Sequence, residues 1–195
     1  MRIIRSADCR TMPWKNGGGE TTEVAVSPAG ASLDAFDWRV SMARVASDGP
    51  FSLFPGIDRN LTVLEGAGID LEPHGNASIR LTPDSPPYAF PGDIPLDARL
   101  VDGPILDLNV MTRRGRARCA VSKNKAASSR DHALSGDILL LLVRGAGAKI
   151  GGKLSFSRLY DSDCAMLTKE DGSITIVPDG ALTLCRIDLW LDTDT

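Results

Sequence analysis

The sequence predicts an all-β protein made of two similar units. Three observations carry this. Short alternating runs rich in β-branched residues recur along the chain, punctuated by Gly, Pro and Asp. No window of about 12 residues carries a firm helical period, so helices are expected to be few and short. A strand–Gly–X–Gly–strand pattern also occurs twice. Leu61 to Gly68 resembles Leu140 to Gly147, with Gly66 and Gly145 separated by 79 positions (145 − 66 = 79).

The elements follow in order. Thr21 to Val26 alternates and is β-branched, which suits a half-buried strand. Trp38 to Val45 alternates cleanly. Leu61 to Leu64 runs through Glu65–Gly68 into Ile69 to Leu71, the pattern of a hairpin. Leu106 to Met111 and Ile138 to Val143 are further strands, and Ile174 to Val177 and Leu182 to Leu189 close the chain. Breaks fall at Pro50, Pro55-Gly56, Pro73-His74-Gly75, Pro91-Gly92-Asp93 and Asp179-Gly180. Asp102-Gly103 and Asp179-Gly180 extend the repeat at a slightly shorter offset (180 − 103 = 77). Chance is the competing explanation, because unrelated hairpins reuse one turn chemistry. A real repeat gives units of roughly 80 residues and a duplicated barrel or sandwich.

At 195 residues the chain forms one large domain or two small ones. A chain of this length needs neither metal nor disulfide to hold a core. The net charge of −3 argues against a chain-wide nucleic-acid surface. His74 and His132 are the only imidazoles, so a three-His metal site cannot form within one chain. Cys9, Cys119, Cys164 and Cys185 show no CxxC spacing. The first ten residues lack a long apolar run, as a secretory signal would require. Ile138 to Val143 is far short of the ~20 residues that span a bilayer. A cytoplasmic protein with reduced thiols, no membrane association, no cofactor and no metal is therefore expected.

Arg113 to Arg130 holds seven basic residues and no acid. With no aromatic residue among them, a solvated connector is preferred over a nucleic-acid surface. Asn16-Gly17-Gly18-Gly19 frees backbone N–H groups that can cradle an anion, with Lys15 beside them. A flexible turn before a strand explains the glycines equally well. Alternation puts Arg39, Ser41 and Ala43 on one face of their strand and Asp107, Asn109, Met111 and Arg113 on one face of another. On patterning alone these are ordinary solvent faces. His74 reads as an exposed hairpin-tip residue, and His132 as structural or exposed.

Several blocks together resemble the HutD/Ves family. They are Pro13-Trp14-Lys15-Asn16-Gly17-Gly18-Gly19-Glu20-Thr21-Thr22-Glu23, then Phe36-Asp37-Trp38-Arg39-Val40-Ser41-Met42-Ala43 with Asp48-Gly49-Pro50-Phe51-Ser52. Pro55-Gly56-Ile57-Asp58-Arg59, Leu64-Glu65-Gly66, Phe90-Pro91-Gly92-Asp93 and Asp107-Leu108-Asn109-Val110-Met111-Thr112-Arg113-Arg114 continue the series. Beyond Val121 the likeness rests on order and length.

The resemblance implies a double-stranded β-helix of the cupin type with two cupin-like units, a bicupin. The first is expected over residues 1–120 and the second over 121–195, joined near residues 113 to 135. It also implies a non-catalytic, small-molecule-binding modulator of histidine utilisation, with urocanate or formylglutamate as candidate ligands. Whether the protein is an enzyme stays open; the alternative is a metal-free isomerase or hydrolase with Glu20 or Glu23 as base. A protein-interaction module using the basic connector is a third class. Expected partners are a small carboxylate and, optionally, a second copy in a homodimer.

Lys15, Asn16, Thr21, Arg39, Ser41, Phe51, Ser52, Arg59, Asn109, Met111 and Arg113 fall on the family's motif positions. The expected pocket has Arg39, Arg59, Ser41 and Asn109 as its lining, with Lys15 and Asn16 at its mouth. Two buried arginines need counter-charges. Each could pair with an internal Asp or Glu; because Asp107 is the only acid sharing their strand faces, a ligand carboxylate is the preferred counter-charge.

Overall fold

The computed structural model describes residues 1–74, 77–152 and 155–192. Its strands are β1 (Arg2–Ile4), β2 (Arg10–Pro13), β3 (Gly19–Ser27), β4 (Trp38–Val45), β5 (Gly49–Pro50), β6 (Ile57–Glu65), β7 (Ile69–Pro73), β8 (Ile79–Leu81), β9 (Tyr88–Pro91) and β10 (Leu96–Leu100). They continue as β11 (Ile105–Arg113), β12 (Ala117–Ala126), β13 (Arg130–His132), β14 (Ile138–Gly145), β15 (Ala148–Gly151), β16 (Phe156–Leu159), β17 (Cys164–Thr168), β18 (Ile174–Pro178) and β19 (Leu182–Leu191). Among the described residues the helices are two three-residue 3-10 turns, Ser6–Asp8 and Lys169–Asp171. The all-β expectation holds.

The chain divides into two compact units, residues 10–118 and residues 1–9 with 119–193. The first nine residues therefore leave the expected 1–120 division. The reason is a ladder: Arg2, Ile3 and Ile4 pair with Met166, Ala165 and Cys164.

In the 10–118 unit a six-stranded sheet, β2-β3-β4-β11-β6-β9, faces a four-stranded sheet, β5-β10-β7-β8. The buried cluster between them draws Val45, Leu61 and Val63 from the first and Ile69, Leu71, Leu96 and Ala98 from the second. The 119–193 unit has a five-stranded sheet, β1-β17-β14-β19-β12, and a four-stranded one, β13-β18-β15-β16. Leu139, Leu141 and Leu184 pack there against Ile150, Ile174 and Ile176. The strand orders correspond: β4-β11-β6-β9 repeats as β12-β19-β14-β17, and β5-β10-β7-β8 as β13-β18-β15-β16. The repeated glycine has a backbone cause, since Gly66 (φ 93) and Gly145 (φ 96) both adopt a left-handed conformation at the hairpin turn.

The basic stretch is not a connector. It forms the end of β11 and all of β12, an edge strand beside β19, and ends at β13. Edge strands tolerate charge because one side stays in water and like charges discourage further pairing. The turn at Gly75 and Asn76 lies outside the described residues, but His74 is exposed and meets Asp97 at 3.1 Å, as expected for a hairpin tip.

Leu141 lies fully buried at the centre of the second unit's core. Leu141→Ala is expected to lower unfolding free energy by about 2–5 kcal/mol, read as a lower urea midpoint at unchanged slope. A change under about 0.5 kcal/mol, the level of surface substitutions, is incompatible with this packing.

Candidate functional site

Alternation along three neighbouring strands assembles the site. Arg39, Ser41, Ala43 and Val45 share one face of β4, Ile105, Asp107, Asn109 and Met111 one face of β11, and Arg59, Leu61 and Val63 one face of β6. Val45, Leu61, Val63 and Ile105 belong to the inter-sheet core, so this face points inward. The register sets rows: Met111 opposes both Arg39 and Arg59, Asn109 opposes Ser41 and Leu61, and Asp107 opposes Ala43 and Val63. Arg39 and Arg59 stand two strands apart, about 10 Å between Cα atoms. A second apolar cluster, Phe36, Ile57 and Met111, lies beyond the arginine row. The polar side chains thus form a belt between two dry regions.

Arg39 is 5% exposed. Its Nε donates to Oε2 of Glu23 at 2.8 Å and its Nη1 to Oγ of Ser41 at 3.4 Å. Glu23 comes from β3, where a bulge between Glu23 and Ala25 shifts the register and leaves Glu23 opposite Ser41. At Arg39 the structure therefore shows an internal acid as counter-charge, the alternative to the preferred ligand carboxylate. The neighbouring strand supplies that acid, which alternation along the arginines' own strands cannot show.

Arg59 is 6% exposed. Its guanidinium lies over Phe51, Phe90 and Phe54, at 4.8, 5.3 and 5.5 Å from the ring centroids. Nη1 donates to the Ser52 carbonyl at 3.4 Å, and Nε is buried with no partner. Burial pulls its pKa down to about 10, with Asp107 opposing and Arg39 reinforcing the shift. The group stays cationic at neutral pH.

Asp107 is 1% exposed, and burial pushes its carboxyl up to about 7 against the pull of Arg59. Its Oδ1 and the Oδ1 of Asn109 have no hydrogen-bond partner, like Nε of Arg59. Buried polar atoms are nearly always bonded, so these three atoms stand out within the belt.

The structure brings together six expected residues: Arg39, Ser41, Phe51, Arg59, Asn109 and Met111. Ser52 contributes its carbonyl, while its side chain is exposed. The other four stand apart. Lys15 and Asn16 are exposed on the β2–β3 turn. That turn ends at Gly19, opposite Val45, six residues along β4 from Arg39, or about 20 Å at about 3.4 Å per residue. Oδ1 of Asn16 accepts from the Gly18 N–H, and a Cβ on Gly19 would collide with the Arg44 carbonyl. The glycines therefore serve a tight turn. Thr21 accepts from the Trp14 indole at 2.8 Å. Arg113 donates to the carbonyls of Phe36 and Asp34, both at 2.8 Å, and straps down the segment before β4. The residues missed are Phe54 and Phe90, whose role depends on strand pairing and loop packing.

Metal-dependent cupins place three His and a Glu in the barrel. That group does not fit here, because two guanidiniums occupy the interior and repel a cation. Among the described residues no three His, Cys, Asp or Glu gather at one point.

The HutD family model matches residues 6–185. An uncharacterized 21.2 kDa protein from the hutC 3' region of Pseudomonas putida is 32% identical over 189 residues, covering 97% of both chains. Protein Ves of Citrobacter koseri is 44% identical over 118 residues, covering 58% of this chain and 60% of that protein. The structure of HutD from Pseudomonas fluorescens SBW25 superposes with a TM-score of 0.81 at 31% identity, covering 97% of this chain and 98% of that one. The chain belongs to the HutD family. Its fold is cupin-like: an oxalate decarboxylase from Lactobacillus farciminis, 9% identical, superposes with a TM-score of 0.66 over 99% of this chain and 86% of that one.

Two outcomes are expected. Asp107 binds more protons folded than unfolded between pH 3.8 and about 7. Its contribution to stability is fully present below 3.8 and is lost as pH rises to about 7. Asp107→Asn should flatten that slope and leave the variant more stable above pH 7, by at most about 4 kcal/mol. Urea unfolding across pH 4–8 checks it; parallel curves for both proteins contradict the burial effect. Arg113→Ala should lower stability by about 1–3 kcal/mol through loss of two charged donors. Cleavage near residues 34–36 should rise in limited proteolysis, and undiminished protection there would deny the strap.

Proposed function

We propose that this protein binds a small carboxylate in the 10–118 unit and acts, without catalysis, as a modulator of histidine utilisation in the cytoplasm. One observation carries the reading: two buried arginines, with Cα atoms about 10 Å apart, lie in one belt with Asn109 and Ser41, and Nε of Arg59 has no partner there. Arg59 Nε and the remaining nitrogen of Arg39 hold a carboxylate through charge-assisted bonds. Phe51, Phe90 and Met111 wall a flat or flexible body. Urocanate and formylglutamate are the candidate ligands. The pathway rests on family membership and on the relative from the hutC 3' region. The matching strand orders further support a bicupin, with each unit one cupin-like repeat.

A second reading has its own support. A carboxyl held near 7 beside a substrate site is poised for proton transfer, so Asp107 is a candidate general acid or base in a metal-free reaction. Incubation of any ligand with stoichiometric protein separates the readings, since only an enzyme changes its NMR spectrum over hours.

Calorimetric titration of urocanate and formylglutamate tests the binding reading. Arg39→Ala should weaken the better ligand by about 10- to 150-fold, the loss of one charge-assisted bond worth about 1.5–3 kcal/mol. It should also destabilise the fold, because Glu23 loses its partner. The ligand's neutral amide should fail to bind wild-type protein, a control independent of folding. Equal affinities for acid and amide place recognition somewhere other than the arginines.

A further inference from the structure

A polar cavity lies within the 119–193 unit, independent of the first site. Its volume is about 260 Å³, smaller than sites for drug-sized ligands. It opens between β12 and β13, the edge strands of the two facing sheets. Lys125, Arg130, His132 and Arg186 line it, over a floor that includes Ile176 and Leu184.

The ladders explain this convergence. His132 opposes Ile174 and Arg130 opposes Ile176, and both isoleucines belong to the inter-sheet core. Paired residues share a face, so Arg130 and His132 lie on the inward side of β13, with Arg130 at the exposed mouth. Arg186 alternates with Leu184 on β19 and points the same way. It is already oriented: Nε and Nη2 grip Asp188 at 2.6 and 2.7 Å, and Nη2 also reaches the Ala133 carbonyl at 2.7 Å. Asp131 is turned to Thr175 at 2.6 Å. The His132 ring, on a residue 8% exposed, has no hydrogen-bond partner among the described residues. The ring is set between two arginines, Arg186 and Arg130.

We propose that this cavity is a second ligand site, which takes a small oxyanion, a carboxylate or a phosphate, and that binding there charges His132. The unit would then sense an anion together with a proton. The groups facing the ring set the sign. Burial lowers the His132 pKa first, then Arg186 on β19 and Arg130 on its own strand; Asp131 and Asp188 oppose them. Lys125 on β12 also lines the cavity. An anion seated among these cations removes their repulsion and accepts an N–H from the ring. The pKa of His132 then rises toward neutrality, and by linkage anion affinity rises as pH falls. The basic stretch read from the sequence gains a local role here, because Lys125 and Arg130 are its last two cations.

The chain has only two histidines, so the test is direct. Ring C–H signals of His132 and exposed His74 are followed by ¹H–¹³C NMR from pH 5 to 8. The samples contain inorganic phosphate, acetate or neither, at ionic strength held with sodium chloride. The His132 midpoint should rise by about one pH unit in at least one anion, a tenfold tighter binding to the charged ring, while His74 stays put. The two arms distinguish phosphate from carboxylate. Arg130→Ala, on an exposed edge residue, should abolish the shift with both histidine signals still dispersed as in wild type. His132→Gln should remove the pH dependence of anion affinity. Equal movement of both histidines, no movement in either anion, or a shift that survives Arg130→Ala overturns the proposal.

Discussion

A guanidinium taken out of water keeps its charge, and so it must find acceptors wherever the fold places it. Arg39 and Arg59 impose that condition on the centre of the first unit. Much of the local architecture answers it. The bulge in β3 leaves Glu23 opposite Ser41, within reach of Arg39. The segment before β6 brings the Ser52 carbonyl and the faces of Phe51 and Phe54 to Arg59, and β9 brings Phe90. The answers are incomplete, since Arg59 Nε stays unpartnered. A belt with two buried arginines, partly satisfied and flanked by apolar clusters, is the basis of the proposed carboxylate site.

Asp107 shows the reverse pressure on the same sheet. It stands one row beyond Asn109, between Ala43 and Val63, with no donor opposite it. Burial wins over attraction to Arg59, and the carboxyl titrates near neutrality. The belt therefore does not carry a fixed charge around pH 7. With Asp107 protonated, the belt is one charge more positive than with Asp107 ionised. The proposed binding of an anion here would for that reason be coupled to proton uptake.

The two units share a strand order but not a chemistry. At the repeat offset of 77, Asn109 on β11 corresponds to Arg186 on β19 (186 − 77 = 109). Met111, which separates the first unit's arginines, corresponds to Asp188, which grips Arg186. One scaffold thus holds its cations on a central face in one unit and near the seam between sheet edges in the other. Side-chain choice on a single alternating strand is enough to move them.

The long central strands are legible in the sequence. β3, β4, β11, β14 and β19 alternate or run apolar because one or both faces are buried, and burial writes itself into composition. The short edges β1, β5, β8 and β13 are not, because two to three residues carry no period and charged edges resemble loops. The repeat shows through its glycines, whose backbone angles exclude most other residues. For the site, alternation alone puts Arg39 with Ser41 and Asp107 with Asn109 on shared faces. Which strands lie side by side, and in what register, is a property of pairing between distant segments. Only the tertiary fold could therefore set Met111 between two arginines, bring Glu23 to Arg39, stack three phenylalanines on Arg59, and carry Lys15, Asn16 and Arg113 away from the belt. The sequence by itself determined which residues share a face; the register of the folded sheets decided which faces meet.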